Sequence, residues 1–251
     1  METGPNDERR LYNDLAWTWP IISPPEDYVA ESEYFAQVIS QHATIGQRSL
    51  LHLGCGGGHN DNTLKLHFDV TGVDISVPML DLARRLNPEV EYREGDMRSV
   101  RLDKQFDAVA ILDSVNYMLS QDDLRDAFAT AFVHLRRGGV LLTCVEQTVQ
   151  GFQQNRTMVM TRKKGDIEIT FVENQYDPDP SDSTYESTFA YLIRERGELK
   201  LETDRHLCGI FTLRLWYDNL RALGFSVKQL TFVDEAGGGE SVPLLVCVRP
   251  A

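Results

Sequence analysis

Three glycines at alternate positions, Gly54, Gly56 and Gly58, follow an apolar run that starts at Leu50. Twenty residues after the first of them a second apolar run closes on a carboxylate, Asp74. Glycine permits a sharp turn at the end of a strand and lets a ligand approach the backbone. A carboxylate at the end of the neighbouring strand accepts hydrogen bonds from ribose hydroxyls. The pair is a device for holding a nucleoside on an α/β sheet. A dinucleotide fingerprint, G-x-G-x-x-G, would place its third glycine at position 59, where this chain has His59; the turn here is G-x-G-x-G. Asn60 and Asp61 come next, side chains suited to capping the helix that follows, and a carboxylate there disfavours a pyrophosphate docked on that helix end.

S-adenosylmethionine carries no phosphate and bears a sulfonium cation, so an acidic, phosphate-free cradle suits it; a nicotinamide dinucleotide is the competing ligand. Further along stand Gly95-Asp96-Met97, after a short β-like run, and Phe106-Asp107-Ala108-Val109. In this order, G-x-G-x-G, acidic strand end, G-D-M turn and F-D-x-V strand, the chain resembles the class I S-adenosylmethionine-dependent methyltransferases. The resemblance is firm over residues 49–146 and looser over the whole chain. It implies that Asp74 binds the ribose hydroxyls and Asp96 the adenine amino group, with Met97 on the ring and Gly54 and Gly56 along the methionine portion. Tyr12, Cys55, Gly58, Ile75 and Leu112 complete the expected cofactor site. His52 departs from the pattern, since many members have an acidic residue there.

The elements that must position these residues can be read from periodicity. A helix is expected over 28–40, with Val29, Phe35, Val38 and Ile39 as its apolar positions, ahead of a strand over 49–53. Strands over 69–73, 90–94, 106–112 and 140–145 alternate with helices over 78–86 and 122–136. Pro78 fits a first helical turn, and Gly138-Gly139 is expected to stop the later helix. Such alternation specifies a doubly wound, Rossmann-like α/β sheet. A helix over 213–223 and strands over 225–233 and 243–248 complete seven mostly parallel strands, as the resemblance implies.

Between these parts the alternation stops. Residues 157–160, 167–172, 185–193 and 199–207 are β-like runs separated by turn residues, an antiparallel insertion expected to act as a substrate lid. The domain division is therefore 1–146 for the N-terminal helices and cofactor half, 147–211 for the lid, and 212–251 for the closing helix and hairpin.

Composition limits the partners. The net charge of −13 argues against nucleic acid, and Arg162-Lys163-Lys164 beside Gly165 reads as a solvated hairpin tip. No apolar stretch approaches the roughly 20 residues that span a bilayer, and the polar start is no signal peptide, so a cytoplasmic protein without membrane partners is expected. Cys55, Cys144, Cys208 and Cys247 include no C-x-x-C pair and suggest neither a metal site nor disulfides.

A sulfonium methyl is already electrophilic, so the protein must mainly hold a nucleophile in line and exclude water. Tyr12, in the segment Tyr12-Asn13-Asp14-Leu15-Ala16, resembles the Y-x-x-L-A start of small-molecule members such as amino-sugar N,N-dimethyltransferases; it is a candidate for both cofactor and acceptor contact. Asp113, Asn116 and Tyr117 follow the fourth strand at the edge where open α/β sheets bind ligands. Asp113 is a candidate proton acceptor, and Asn116 and Tyr117 are candidate acceptor contacts. Trp17 and Trp19 are candidates to wall the acceptor pocket. His206, in a stretch resembling the family's E-x-H-x-x-x-x-(F/Y)-(S/T) segment, is the candidate base. The expected reaction is methylation of nitrogen or oxygen of a small metabolite, with an amine-bearing acceptor such as an amino sugar favoured and a homodimer left open. A cofactor-binding protein without transfer activity, and a nicotinamide-dependent oxidoreductase, are the alternatives.

Overall fold

The structure, a computed structural model, describes residues 9–234 and 240–251. Its main sheet has seven strands: β1 (Ser49–Leu53), β2 (Asp69–Asp74), β3 (Glu91–Glu94), β4 (Phe106–Ile111), β5 (Leu135–Cys144), β10 (Ser226–Asp234) and β11 (Glu240–Val248). Their order is β10-β11-β5-β4-β1-β2-β3. β11 runs antiparallel to both neighbours, and the other pairings are parallel. The chain winds outward from β1 to β3 and then returns to β4 on the other side of β1. The crevice at the carboxyl ends of β1 and β4 is therefore the switch point at which such sheets bind ligands.

The inner strands are apolar because both faces are covered: all six residues of β4 are buried. α5 (Gln121–His134) and α6 (Leu213–Ala222) cover one face through Phe128 and Trp216; α2 (Val29–His42) covers the other through Phe35 and Ile39. Val29, expected on the apolar side of α2, is exposed. Side-chain caps start the later helices. Ser76 Oγ accepts from Met79 N at the head of α4 (Val77–Leu86), Ser120 caps α5 and Thr212 caps α6.

Gly138-Gly139 does not stop α5. The helix ends at His134, and β5 begins at the next residue, so both glycines lie inside the strand, where its register against β4 shifts. His134 is buried; its Nδ1 donates to Thr130 O while Nε2 accepts from Leu102 N, so the ring joins two segments of backbone.

The insertion forms its own antiparallel sheet, β6 (Arg156–Lys164), β7 (Ile167–Tyr176), β8 (Thr184–Glu195) and β9 (Glu198–Gly209), in that order. One face of it, through Ile169, Phe171, Phe189, Tyr191 and Ile193, packs on Leu11, Leu15, Ile21 and Ile22 of the N-terminal segment. The rest of that segment reaches the main sheet, where Ser76 Oγ donates to Tyr12 O. The hairpin-tip residue Arg162 is not merely solvated, since it pairs with Asp27 at 3.0 Å. The four cysteines are buried thiols. Among the described residues no helix is long and apolar enough to cross a membrane.

Because Phe171 contacts the rings of Phe189 and Tyr191 at 5.3 and 5.1 Å between centroids, Phe171→Ala empties the middle of this interface. The expected cost is about 3–5 kcal/mol, read as a lowered urea midpoint.

Candidate active site

Gly54 leaves β1 with φ +74°, and the backbone nitrogens of Gly54 and Cys55 both donate to Val73 O at 2.7 and 3.1 Å, which fastens the loop to β2. A Cβ on Gly54 would overlap Ser114 Oγ and lie 2.8 Å from Met97 Cε, so loops following β1, β3 and β4 converge on this one position. Asp74 ends β2 and holds the next turn: Oδ2 accepts from Gly56 N and Oδ1 from Ser76 N, each at 2.8 Å. Burial pushes its carboxyl above the ordinary range, an effect these two bonds oppose.

Several expected cofactor residues serve the loop from behind. A Cβ on Gly58 would lie 2.6 Å from Tyr92 Oη and 2.8 Å from Asn87 Nδ2, so the third glycine makes room for packing and does not face the crevice. The Cys55 side chain is buried with Leu80, Ala83 and Tyr92, leaving only its backbone in the turn. Leu112 is buried in the apolar layer under α2. Asn60 and Asp61 do not cap the short helix α3 (Asp61–Leu64). Asn60 instead donates to Glu31 and Ser32. Asp61, fully buried, accepts from His52 Nδ1 at 2.7 Å and from Tyr92 Oη at 3.0 Å. Burial alone would lower the His52 pKa, but the charge and hydrogen bond of Asp61 carry it above the usual value.

The residues that do face outward fit an adenosine. Ile75, an apolar side chain 61% exposed, follows Asp74, and Met97 lies beside Gly54. Asp96 is held by Arg98 at 2.6 Å, which keeps its carboxyl below the ordinary range. Around Gly56 an added Cβ would meet nothing closer than Met79 Cε at 3.5 Å. Two carboxylates, an apolar platform and an open glycine backbone match the hydroxyls, ring and amino group of S-adenosylmethionine.

Beside this cradle the structure brings together residues far apart in sequence. Tyr12 Oη and Tyr117 Oη are 2.9 Å apart, Tyr117 Oη and His206 Nδ1 2.7 Å, and His206 Nε2 and Asp204 Oδ2 2.8 Å. Asp204 Oδ2 also accepts from Leu11 N at 2.7 Å. Burial would raise the Asp204 pKa, but the hydrogen bonds from His206 and from the backbone at Leu11 and Arg10 outweigh it and hold the carboxyl below its ordinary range. An ionised Asp204 takes the hydrogen of His206 Nε2. Nδ1 is then the acceptor for Tyr117, whose oxygen accepts from Tyr12. Burial pushes both phenols upward, which keeps the two tyrosines protonated. The guanidinium of Arg9 lies over the Tyr117 ring at 4.8 Å.

The remaining candidates separate. Asp113 is exposed at the start of the turn Asp113–Tyr117, close enough for its charge to act on Tyr12 and His52. Asn116 is buried and donates to Glu146. Trp19 stacks on His59 at 5.8 Å and lies 3.0 Å from where a Gly57 Cβ would be, which puts it against the glycine loop. Burial pushes His59 down to about 4. Trp17 is 43% exposed. Asp204 was not singled out in sequence, although alternation along β9 places it on the same inward face as His206.

Residues 50–139 match a family model described as a methyltransferase domain. The chain is 35% identical to the dTDP-3-amino-3,4,6-trideoxy-alpha-D-glucopyranose N,N-dimethyltransferase of Streptomyces venezuelae, over 47% of this chain and 50% of that one. It is 26% identical to the dTDP-3-amino-3,6-dideoxy-alpha-D-glucopyranose N,N-dimethyltransferase of Streptomyces fradiae, over 81% and 79%. The solved structure of CalS10 with S-adenosylmethionine bound, an amino pentose methyltransferase of Micromonospora echinaspora, superposes with a TM-score of 0.77 at 24% identity, over 88% of this chain and 91% of that one. The chain is a class I S-adenosylmethionine-dependent methyltransferase. The oxidoreductase and non-catalytic readings are not favoured.

In this methyltransferase both oxygens of Asp74 are turned to the glycine loop and to the turn that follows β2. Asp74→Ala is expected to weaken S-adenosylmethionine and S-adenosylhomocysteine binding by roughly 10- to 100-fold in calorimetric titration. Asp204, with its pKa depressed in the fold, contributes stability that is present above the unfolded value near ~3.9 and lost as pH falls through the folded value. The stability gap between the methyltransferase and its Asp204→Asn variant should therefore be widest near neutrality and close in acid, as measured by urea midpoints across that range.

Proposed function

We propose that the methyltransferase acts in the cytoplasm on the amino nitrogen of a small polar acceptor, a nucleotide-linked amino sugar, with residues 147–211 covering the acceptor. The observation that carries this reading is the Tyr12–Tyr117–His206–Asp204 chain, whose Tyr12 end adjoins Asp74 through Ser76. The printed substrates of the Streptomyces relatives, dTDP-linked amino sugars, support it.

S-adenosylmethionine supplies a methyl group on a sulfonium, which needs no further activation. The chain's own work is to hold the amine in line and to remove a proton from it. A proton leaving the nitrogen goes to Tyr12 Oη as the Tyr12 hydrogen passes to Tyr117 Oη and the Tyr117 hydrogen to His206 Nδ1. The imidazolium so formed faces the ionised Asp204, and every oxygen along the way ends as it began. Phe189 packs edge-on to the His206 ring at 4.6 Å and helps exclude water from it.

Incubating the enzyme with S-adenosylmethionine and either dTDP-amino sugar should give methylated sugar by mass spectrometry and S-adenosylhomocysteine. His206→Gln is expected to lower kcat by about 100-fold near neutral pH, with cofactor affinity unchanged. A variant with the wild-type kcat would sink the role given to His206; methylation of hydroxyls alone would sink the amine reading.

A further inference from the structure

The inward face of the insertion is divided. Near the turn between β6 and β7 it is dry, and Ile169, Phe171, Tyr191 and Ile193 are covered by the N-terminal segment. Toward its other end the same alternation turns polar residues inward, namely Glu173, Gln175 and Ser187. Ser187 is the register partner of both Gln175 and His206, which sets this polar row level with the proposed base.

The row is built around one carboxylate. Ser187 Oγ donates to Glu173 Oε1 at 2.6 Å, and Gln175 Nε2 donates to the same oxygen at 3.0 Å. Gln147, just beyond β5, donates to Gln175 Oε1 at 3.3 Å. Buried Tyr185 lies within the field of both Glu173 and Glu146, so the row faces the carboxyl end of β5. Glu173 is half-buried, and no lysine, arginine or histidine among the described residues forms an ion pair with it. Independently, Tyr191 Oη is buried without a hydrogen-bond partner among the described residues, within reach of the charges of Asp204 and Glu173.

A carboxylate half out of water, oriented by two neutral donors and left without a cation, has acceptor capacity to spare. Hydroxyl groups arriving on a ligand satisfy it without the desolvation that a second buried charge would need. We propose that Glu173, held by Ser187 and Gln175, accepts a hydrogen bond from a ring hydroxyl of the acceptor and is a specificity-determining residue of this methyltransferase. The assignment rests on the amino-sugar reading above.

The two sugars named for the relatives differ by a single hydroxyl, present in the 3,6-dideoxy compound and absent from the 3,4,6-trideoxy one. Steady-state kinetics with both acceptors, on the wild type, Glu173→Gln and Ser187→Ala, therefore read the proposal directly. A site built to bond a hydroxyl penalises loss of either partner. Glu173→Gln should raise KM about tenfold or more, with kcat and S-adenosylmethionine affinity held, and Ser187→Ala should raise it less. A rise confined to the 3,6-dideoxy sugar supports the proposal and identifies that hydroxyl; a rise for both supports it through a hydroxyl they share. Turnover of both sugars with unchanged KM overturns the assignment of Glu173 and leaves the amino-sugar reading standing. So does a KM change accompanied by loss of cofactor binding or a lowered melting temperature. Failure of the wild type to methylate either sugar overturns the amino-sugar reading and this assignment with it.

Discussion

One carboxylate oxygen, Asp204 Oδ2, accepts from both His206 Nε2 and Leu11 N. It belongs to β9 of the insertion, the first bond is to the base on the same strand, and the second is to the N-terminal segment one residue before Tyr12. A buried carboxylate is tolerated only if its charge is met by donors, so the strand, the base and the N-terminal turn must be in place together. Arg10 adds a second tie, through Thr203 O and Glu202. The chemistry of the crevice is thus assembled from three parts of the chain that touch nowhere in sequence.

The cofactor half was legible because its constraints are local. Gly54 must be glycine where three loops converge, and Asp74 accepts from two backbone nitrogens at the end of β2; both demands leave a residue type at a fixed spacing. Residue type alone cannot tell which side of the loop a side chain serves. Gly58 spares room for Tyr92 and Asn87, Cys55 joins a small apolar cluster, and Leu112 fills the layer under α2. Gly138-Gly139 misled for a related reason, since a register shift inside a strand and a helix stop draw on the same residue. The relay from Tyr12 to Asp204 was the least legible part, because its members come from the N-terminal turn, the turn after β4 and β9. The alternation of β9 was enough to put 204 and 206 on one face but not to say what they would meet.

Behind the glycine loop lies a second buried polar set that the motif does not announce. Asp61 joins His52 to Tyr92, and Asn87 Nδ2 donates both to Tyr92 Oη at 2.9 Å and to Gly58 O at 2.8 Å. Each bond runs between elements, from β1 to α3, from α3 to β3, and from the end of α4 back to the loop. This chain carries an imidazole on β1 and an acid on α3, and the two are paired beneath the turn. Breaking one member strands the others in a dry environment, which is why such a set fixes the loop's shape more than it adds net stability.

On the proposed reading, negative charge from Asp74, Asp96 and Asp113, with Glu146 and Glu173 on the acceptor side, attracts a sulfonium and an ammonium alike. Attraction of that kind is nearly the same before and during methyl transfer, so it favours binding and does little for rate. It also works against the reaction in one respect, because an acidic surrounding favours the protonated amine, which has no lone pair to offer. A base insulated from that surrounding resolves the conflict. His206, the base proposed above, is fully buried, is joined to Tyr12 through Tyr117, and has Asp204 beside it to balance a proton. Acidic walls to gather two cations and a separated imidazole to neutralise one of them are complementary demands, and the insertion satisfies both by carrying Glu173 and His206 on adjacent stretches of the same inward face.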